Sequence, residues 1–109
     1  VESIPVNHGN IDSMSFIINN NCAYASDIKL FYKKSIKFFK NLEYLIIDCL
    51  RYNYHPSHLN LDEVLKLLKI INPKKTYLTN LHTDMDYNIL KNKLPKNVYP
   101  AFDGLKLKL

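Results

Sequence analysis

Hydrophobic positions alternate with polar ones along several short stretches of the chain, and this period of two predicts β-strands. Each stretch is rich in aliphatic or aromatic residues. The predicted strands cover residues 2–6, 14–19, 22–26, 43–49, 76–79, 98–102 and 105–109. The run Asn19-Asn20-Asn21 tolerates positive φ angles, so we expect it to join the second and third strands in a tight antiparallel hairpin.

One stretch has the apolar spacing of a helix that packs on a sheet, and it covers residues 60–71. Its apolar positions are Leu61, Val64, Leu65, Leu67, Leu68 and Ile71. Asn60 is expected to cap the first turn together with Glu63, three residues later. Because proline cannot continue the helix, we expect it to end before Pro73.

Two further helices are predicted, one over residues 84–93 and one over residues 31–39. In the former, Thr83 is expected to be the cap and Asp86 to stand at the third helical position. The order of elements becomes β-β-β-α-β-α-β-α-β-β. Strands that alternate with helices predict an α/β fold, in which helices cover a mixed sheet and functional sites collect in the loops beyond the strand ends.

The composition is that of a packed domain, with 109 residues, 47% of them hydrophobic and 23% charged. The net charge of +5 allows a nucleic-acid partner. However, Arg51 is the only arginine among the 15 basic residues. The excess of Lys, Asn and Ile is typical of an AT-rich genome, which favours codon drift over a selected basic surface.

Cys22 and Cys49 lie in apolar stretches and lack the close spacing of a zinc knuckle or a redox pair, so we expect two buried thiols. No apolar run reaches the roughly 20 residues that a membrane-spanning helix needs. No signal segment opens the chain, and its first strand begins abruptly, as at an interior point of a domain. These features predict a cytoplasmic protein without membrane contact.

Candidate chemistry lies beside the turns and strand ends. The four histidines are His8, His55, His58 and His82, and the strand-ending acids are Asp27 and Asp48. Any one such histidine could equally be a surface or hydrogen-bonded loop residue. Together, imidazole and carboxylate groups above one sheet edge would suit zinc or manganese, and a two-metal site can activate water and neutralise a phosphate.

Several phrases of the sequence resemble the metallo-β-lactamase superfamily, close to its cyclic phosphodiesterase and tRNA 3′-processing endonuclease branch. The phrases are Pro-Val-Asn-His-Gly, Ala-Tyr-Ala-Ser-Asp, Leu-Ile-Ile-Asp-Cys-Leu-Arg, His-Pro-Ser-His, Tyr-Leu-Thr-Asn-Leu-His and Ala-Phe-Asp-Gly-Leu-Lys-Leu. They occur in order over essentially the whole chain. The resemblance implies the C-terminal half of an αββα sandwich, with a mixed sheet and helices on one face.

The resemblance also assigns roles. His8 resembles a histidine that binds the first metal, and Asp27 resembles the aspartate that bridges two metals. Relatives place their last ligand histidine directly after Leu-Thr, where this chain has Asn80, so His82 is expected to substitute. His58 resembles the histidine that donates a proton to the departing oxygen. His55 and Asp48 are expected to orient these groups.

The superfamily's His-x-His-x-Asp-His loop is absent from this sequence. Residues 1–109 are therefore expected to form a partial domain that lacks the N-terminal metal-binding half. Three hypotheses follow: a metal-dependent phosphodiesterase-like hydrolase that is active only when the missing half is supplied, a degenerate binding or scaffold module, and a small RNA-binding protein. An uncovered sheet face would also predict binding of the missing half or formation of a homo-oligomer.

Overall fold

The computed structural model describes residues 1–82 and 85–108. Its six-stranded sheet follows the order of the sequence from β1 to β6. The strands are β1 (Glu2–His8), β2 (Ile11–Ile18), β3 (Cys22–Ala25), β4 (Tyr44–Asp48), β5 (Lys75–Thr79) and β6 (Val98–Pro100). Strands β1 to β3 pair antiparallel and β3 to β6 pair parallel, which confirms the predicted mixed sheet.

The strongest predicted helix is present as α1 (Leu61–Ile71). The side chain of Asn60 accepts a hydrogen bond from the Glu63 amide, and the Glu63 carboxylate accepts one from the Asn60 amide. This reciprocal pair satisfies two amides that the first helical turn leaves without partners. At the other end, Asn72 adopts a left-handed conformation with φ of 49°, and the chain leaves the helix there.

Helix α2 (Tyr87–Lys93) is shorter than predicted, because Asp86 is its cap rather than its third residue. The Asp86 carboxylate accepts hydrogen bonds from the amides of Asn88 and Ile89 at 2.9 and 3.1 Å. A carboxylate that binds these first amides fixes the start of the helix at the following residue. The predicted cap Thr83 and first residue Asp84 lie outside the described residues.

The helix predicted over residues 31–39 is wrong, since only a single 3₁₀ turn forms at Ile36–Phe39. The segment is held at both ends. The Asn7 amide donates to the Leu30 carbonyl at 3.1 Å, and the Asn41 amide donates to the Ile71 carbonyl at 2.8 Å. These anchors leave a short span in which the chain turns.

The last predicted strand is also wrong, since residues 105–108 form no strand. Strand β6 ends at Pro100, two residues earlier than predicted, and Gly104 turns the chain with φ of 88°. Leu105 and Leu107 then line a cavity with Tyr24 and Tyr77 on one face of the sheet. Their alternation with lysines therefore reflects packing over the sheet rather than pairing within it.

The two faces of the sheet differ. The core face carries the inward residues of every strand, and the helices and the 3₁₀ turn add side chains to the same cluster: Ile4, Val6, Ile17, Ala23, Ala25, Leu45, Ile47, Leu78 and Val98 from the strands, with Phe39, Val64, Ile71 and Leu90. The opposite, outer face carries Met14, Phe16, Tyr24, Tyr44, Ile46, Tyr77 and Tyr99. Helices thus cover one face, as predicted.

Candidate metal centre

The site lies at one edge of the sheet, where four strands end together. Because β1 runs in the same direction as β3, β4 and β5, their carboxyl ends share this edge. His8 ends β1, Asp27 follows β3, Asp48 ends β4 and Asn80 follows β5. The loop between β4 and α1 brings His58 over the same edge.

Three of the residues predicted to do chemistry come together here. His8, Asp27 and His58 each offer one ligand atom, and these atoms lie within 4.8 Å of one another. The rings of His8 and His58 meet edge to face, with centroids 4.7 Å apart. Two imidazoles and a carboxylate are therefore gathered in a volume that one small ion or one phosphate oxygen could reach.

His8 is oriented by the backbone of the loop. Its Nδ1 lies 2.7 Å from the carbonyl oxygen of Ser57. Since a carbonyl only accepts hydrogen bonds, Nδ1 carries the proton and the neutral ring keeps its lone pair on Nε2. Gly9, with φ of 74°, permits this approach, because a Cβ there would lie 2.7 Å from the Cβ of Ser57.

His58 is oriented by a buried acid. Its Nδ1 donates a hydrogen bond to Oδ2 of Asp48, a carboxylate with no solvent exposure. The same oxygen accepts the Ile28 amide at 3.3 Å. Burial raises the pKa of Asp48, while the hydrogen bonds from His58, Ile28 and Asn80 oppose that rise. This pairing leaves the Nε2 lone pair of His58 available, as it is in His8.

His55 takes the opposite tautomer. Its Nδ1 accepts the amide of Ser57 at 3.1 Å, so Nδ1 carries no proton. Its ring centroid lies 5.0 Å from that of His58. Desolvation, followed by the charges of Arg51 and other basic neighbours, lowers the pKa of His55, which favours the neutral ring. His55 therefore lies beside His58 as a neutral ring that is hydrogen-bonded to the Ser57 amide.

An ion pair that the sequence did not point to holds the loop in place. The ammonium of Lys29 lies 2.9 Å from both carboxylate oxygens of Glu63 and donates to the His58 carbonyl at 3.3 Å. It also lies 4.1 Å from the ring centroid of Tyr54. Glu63 was expected only as a capping residue, and its second role depends on a contact between residues 34 positions apart.

His82 lies in the chain after β5 and is exposed. Its amide donates to the Leu50 carbonyl at 2.8 Å, and it does not belong to the group of three ligand atoms among the described residues. Its ligand role stays a prediction. Asn80, two residues earlier, donates from Nδ2 to the Ser26 carbonyl and lies 3.4 Å from Oδ1 of Asp48.

The donor set suits a divalent cation. Imidazole nitrogens and a carboxylate oxygen are the ligands that zinc and manganese take in proteins. Both imidazoles have the outer hydrogen bond that fixes a ligand histidine, from His8 to a carbonyl and from His58 to a carboxylate. The residues present therefore fit part of a metal site.

Comparison with known proteins shows the fold. No family model and no curated protein sequence matches the chain. Among solved structures, it is similar to a new diphosphatase from the PhnP family, with 29% identity, a TM-score of 0.93, and coverage of 98% of this chain but 42% of that one.

No helix in the described part of the chain is long and apolar enough to cross a membrane.

Two more distant structures have the same fold. One is the metallo-β-lactamase fold protein YhfI from Bacillus subtilis, with 19% identity, a TM-score of 0.70, and coverage of 94% of this chain and 46% of that one. The other is the short form of human tRNase Z, with 14% identity, a TM-score of 0.71, and coverage of 94% and 40%. In each comparison this chain spans less than half of the larger protein.

Proposed function

We propose that this chain, which belongs to the metallo-β-lactamase-fold superfamily, is the C-terminal portion of a metal-dependent hydrolase that cleaves phosphoric esters. The observation that carries the proposal is the meeting of His8, Asp27 and His58 within 4.8 Å, with both imidazoles oriented through Nδ1. The similar proteins include a diphosphatase and a tRNase Z, and these activities support a phosphoric substrate; the phosphodiester class is what the sequence resemblance implies.

His8 and Asp27 are the proposed ligands of a divalent metal, zinc or manganese. Asp27 follows β3, and the hydroxyl of Ser13 donates to its backbone carbonyl at 2.7 Å, which anchors the residue. When bound, the metal would supply an activated water and positive charge next to the phosphate. In the complete fold, the Asp27 carboxylate would be one of the groups that hold the metal.

His58 is the proposed proton donor to the departing oxygen. Asp48 holds its Nδ1, so that Nε2 is the nitrogen left to give or take a proton. The ring lies edge to face with His8, which places the donor beside the proposed metal ligand.

Activity requires a further segment that provides the remaining ligands, either from the same longer polypeptide or from another chain. Two features support this. The sequence contains no His-x-His-x-Asp-His loop, and the chain spans 42% of the diphosphatase to which it is similar. The outer face, with Phe16 and Tyr24 each 38% exposed, offers an apolar surface for that segment.

Metal content tests the proposal. The purified protein is loaded with zinc or manganese, dialysed and analysed for bound metal, alongside His8→Ala, Asp27→Ala and the control Glu43→Gln, an acid that precedes β4 at the opposite ends of the parallel strands. We expect metal to remain on the native protein and the control and to be lost from the two ligand variants. Equal metal in all four proteins, or none in the native one, would overturn the proposal.

The same experiment examines His82 and His58. Metal loss from His82→Ala would support the predicted ligand role of His82, whereas retention would remove it. If His58→Ala also releases the metal, His58 is a ligand rather than the proton donor. Retention of metal with loss of phosphodiester cleavage in the completed enzyme would support the acid role.

A second candidate is a non-catalytic binding or scaffold module, and the outer face favours it. Tyr44, Tyr77 and Tyr99 form a row there, with ring centroids 6.5 and 5.4 Å apart along it. Exposed apolar surfaces of this kind mark protein interaction sites. A protein that binds no metal but associates through this face, with itself or a partner, would have this function instead.

A further inference from the structure

Asn80 occupies the position where the resemblance leads one to expect a ligand histidine, and its side chain does something else. It stands at the end of β5 with φ of 60°, a left-handed conformation that asparagine tolerates. From there its amide group reaches the ends of two neighbouring strands, at Ser26 and Asp48.

The two neighbouring hydrogen-bond acceptors determine which way the Asn80 side-chain amide is turned. The Ser26 carbonyl and the Asp48 carboxylate are both acceptors, so the side-chain nitrogen, and not the oxygen, must face them. An asparagine NH₂ group has two protons, and two acceptors are present. Asn80 thus ties together β3, β4 and β5 at the edge where Asp27 and His58 meet.

Asp48 needs the donor that Asn80 offers. Its Oδ2 already accepts from His58 Nδ1 and the Ile28 amide, while Oδ1 lies 3.4 Å from the Asn80 nitrogen. A fully buried carboxylate is costly unless both oxygens are hydrogen-bonded. With one oxygen held by Asn80, the carboxylate group cannot rotate freely, and Oδ2 stays directed at His58.

We propose that Asn80 is a positioning residue for the Asp48–His58 pair: its amide nitrogen fixes the Asp48 carboxylate, which in turn holds His58 with Nδ1 protonated and Nε2 turned to the site. This proposal rests on the proposed function, in which His58 transfers a proton. It requires a hydrogen-bond donor at position 80 that reaches two acceptors. Neither a carboxylate nor an apolar side chain supplies one.

The test reads His58 directly in metal-free protein, by nitrogen–proton correlation spectra of the histidine rings at neutral pH. The variants are Asn80→Asp, which keeps the shape but removes the donor, and Asn80→Ala. The matched control is Asn97→Asp, another positive-φ asparagine (φ of 69°), which precedes β6 at the opposite edge of the sheet. Circular dichroism reports whether each variant is folded.

We expect native protein and Asn97→Asp to show His58 with a proton on Nδ1 and none on Nε2. We expect both Asn80 variants to lose this single tautomer while they remain folded. Unchanged His58 spectra in both variants would overturn the proposal, and so would unfolding of both, since Asn80 would then be needed for the fold itself. Metal content is measured separately, so its absence would reject the proposed function without affecting the His58 result.

Discussion

The core face and the outer face of the sheet are built from the same strands but have different surroundings. On the core face, Ile47 and Leu78 have no exposed surface and lie under the helices. One residue away along the same strands, Ile46 and Tyr77 point to the outer face and are half-buried. One face is therefore a finished core, whereas the other has the composition of a core but is covered only in part, by Leu105 and Leu107.

The difference shows that the strands have the residue pattern of a sheet covered on both faces, although helices cover only one face in this structure. Strands with one solvated face alternate cleanly between apolar and polar residues. Here β2 and β4 are apolar on both faces, as in Phe16 beside Ile17 and Ile46 beside Ile47. Strands of this kind are expected where both faces are covered, as in a sandwich.

The largest expected effect breaks the core face. Ile47→Ala should lower the free energy of unfolding by about 2–5 kcal/mol, because it leaves a cavity in a packed interior. The matched change Ile46→Ala on the outer face should cost about 1 kcal/mol or less. Chemical denaturation of both variants measures the difference. Equal losses would mean that the two faces are packed alike.

The two cysteines allow the two faces to be compared through the pH dependence of stability and of thiol labelling. Cys49 lies on the core face, where burial, followed by the nearby Asp48 charge, raises its pKa to about 12, and burial also raises the pKa of Cys22 on the outer face. A raised folded-state pKa gives stability that is complete below the ordinary value near 9 and is lost as pH rises towards 12.

The unfolding free energy should thus fall by up to about 1.4 kcal/mol per pH unit through this window from Cys49 alone. The variant Cys49→Ala should lack this part of the pH dependence, as measured by urea denaturation between pH 8 and 11. At pH 8, a thiol reagent should modify Cys22 before Cys49. The reverse order of labelling would contradict the placement of the two residues.

A smaller effect concerns the ion pair that ties α1 to the site. Glu63→Gln keeps the capping geometry but removes the charge that binds Lys29, whose side chain is 12% exposed. We expect a loss of about 0.5–1 kcal/mol that diminishes with added salt. Glu43→Gln is the control, since its partner Lys74 is 72% exposed and the pair should contribute almost nothing. Similar losses in both variants would refute the distinction.

The smallest effect on stability is expected on the outer face. The double change Phe16→Ser and Tyr24→Ser should alter the unfolding free energy by about 0.5 kcal/mol or less per site. It should nevertheless reduce self-association at high concentration, as measured by light scattering. A native protein that stays monomeric at the same concentration would contradict the expectation that the protein associates through this face.

The sequence predicted elements best where independent local signals agreed. For α1, the apolar spacing, the Asn60–Glu63 cap and the position of Pro73 all indicated one helix with the same ends. The helix predicted over residues 31–39 depended on a weak apolar side alone, and long-range anchors at both ends produced a turn instead. Local patterns do not contain such anchors.

The site was predictable in part for the same reason. His8 and Asp27 stand at strand ends, and the direction of the strands brings them to one edge. Only the resemblance implied that Asp48 orients a site group. Its contact with His58, like that of Lys29 with Glu63, depends on how the loop before α1 folds back over the sheet. Residue type and spacing carry no signal for contacts of this kind.

The main-chain atoms of one residue, Ser57, determine which nitrogen carries the proton in two histidine rings. The carbonyl of Ser57 accepts from His8, while its amide donates to His55, so a single stretch of main chain assigns opposite tautomers to the two imidazoles. The Ser57 hydroxyl also lies 3.3 Å from Nδ1 of His55, but the main-chain amide and carbonyl would specify both tautomers with another side chain at position 57. Proline is the exception, because it has no amide hydrogen and could not donate the hydrogen bond to His55.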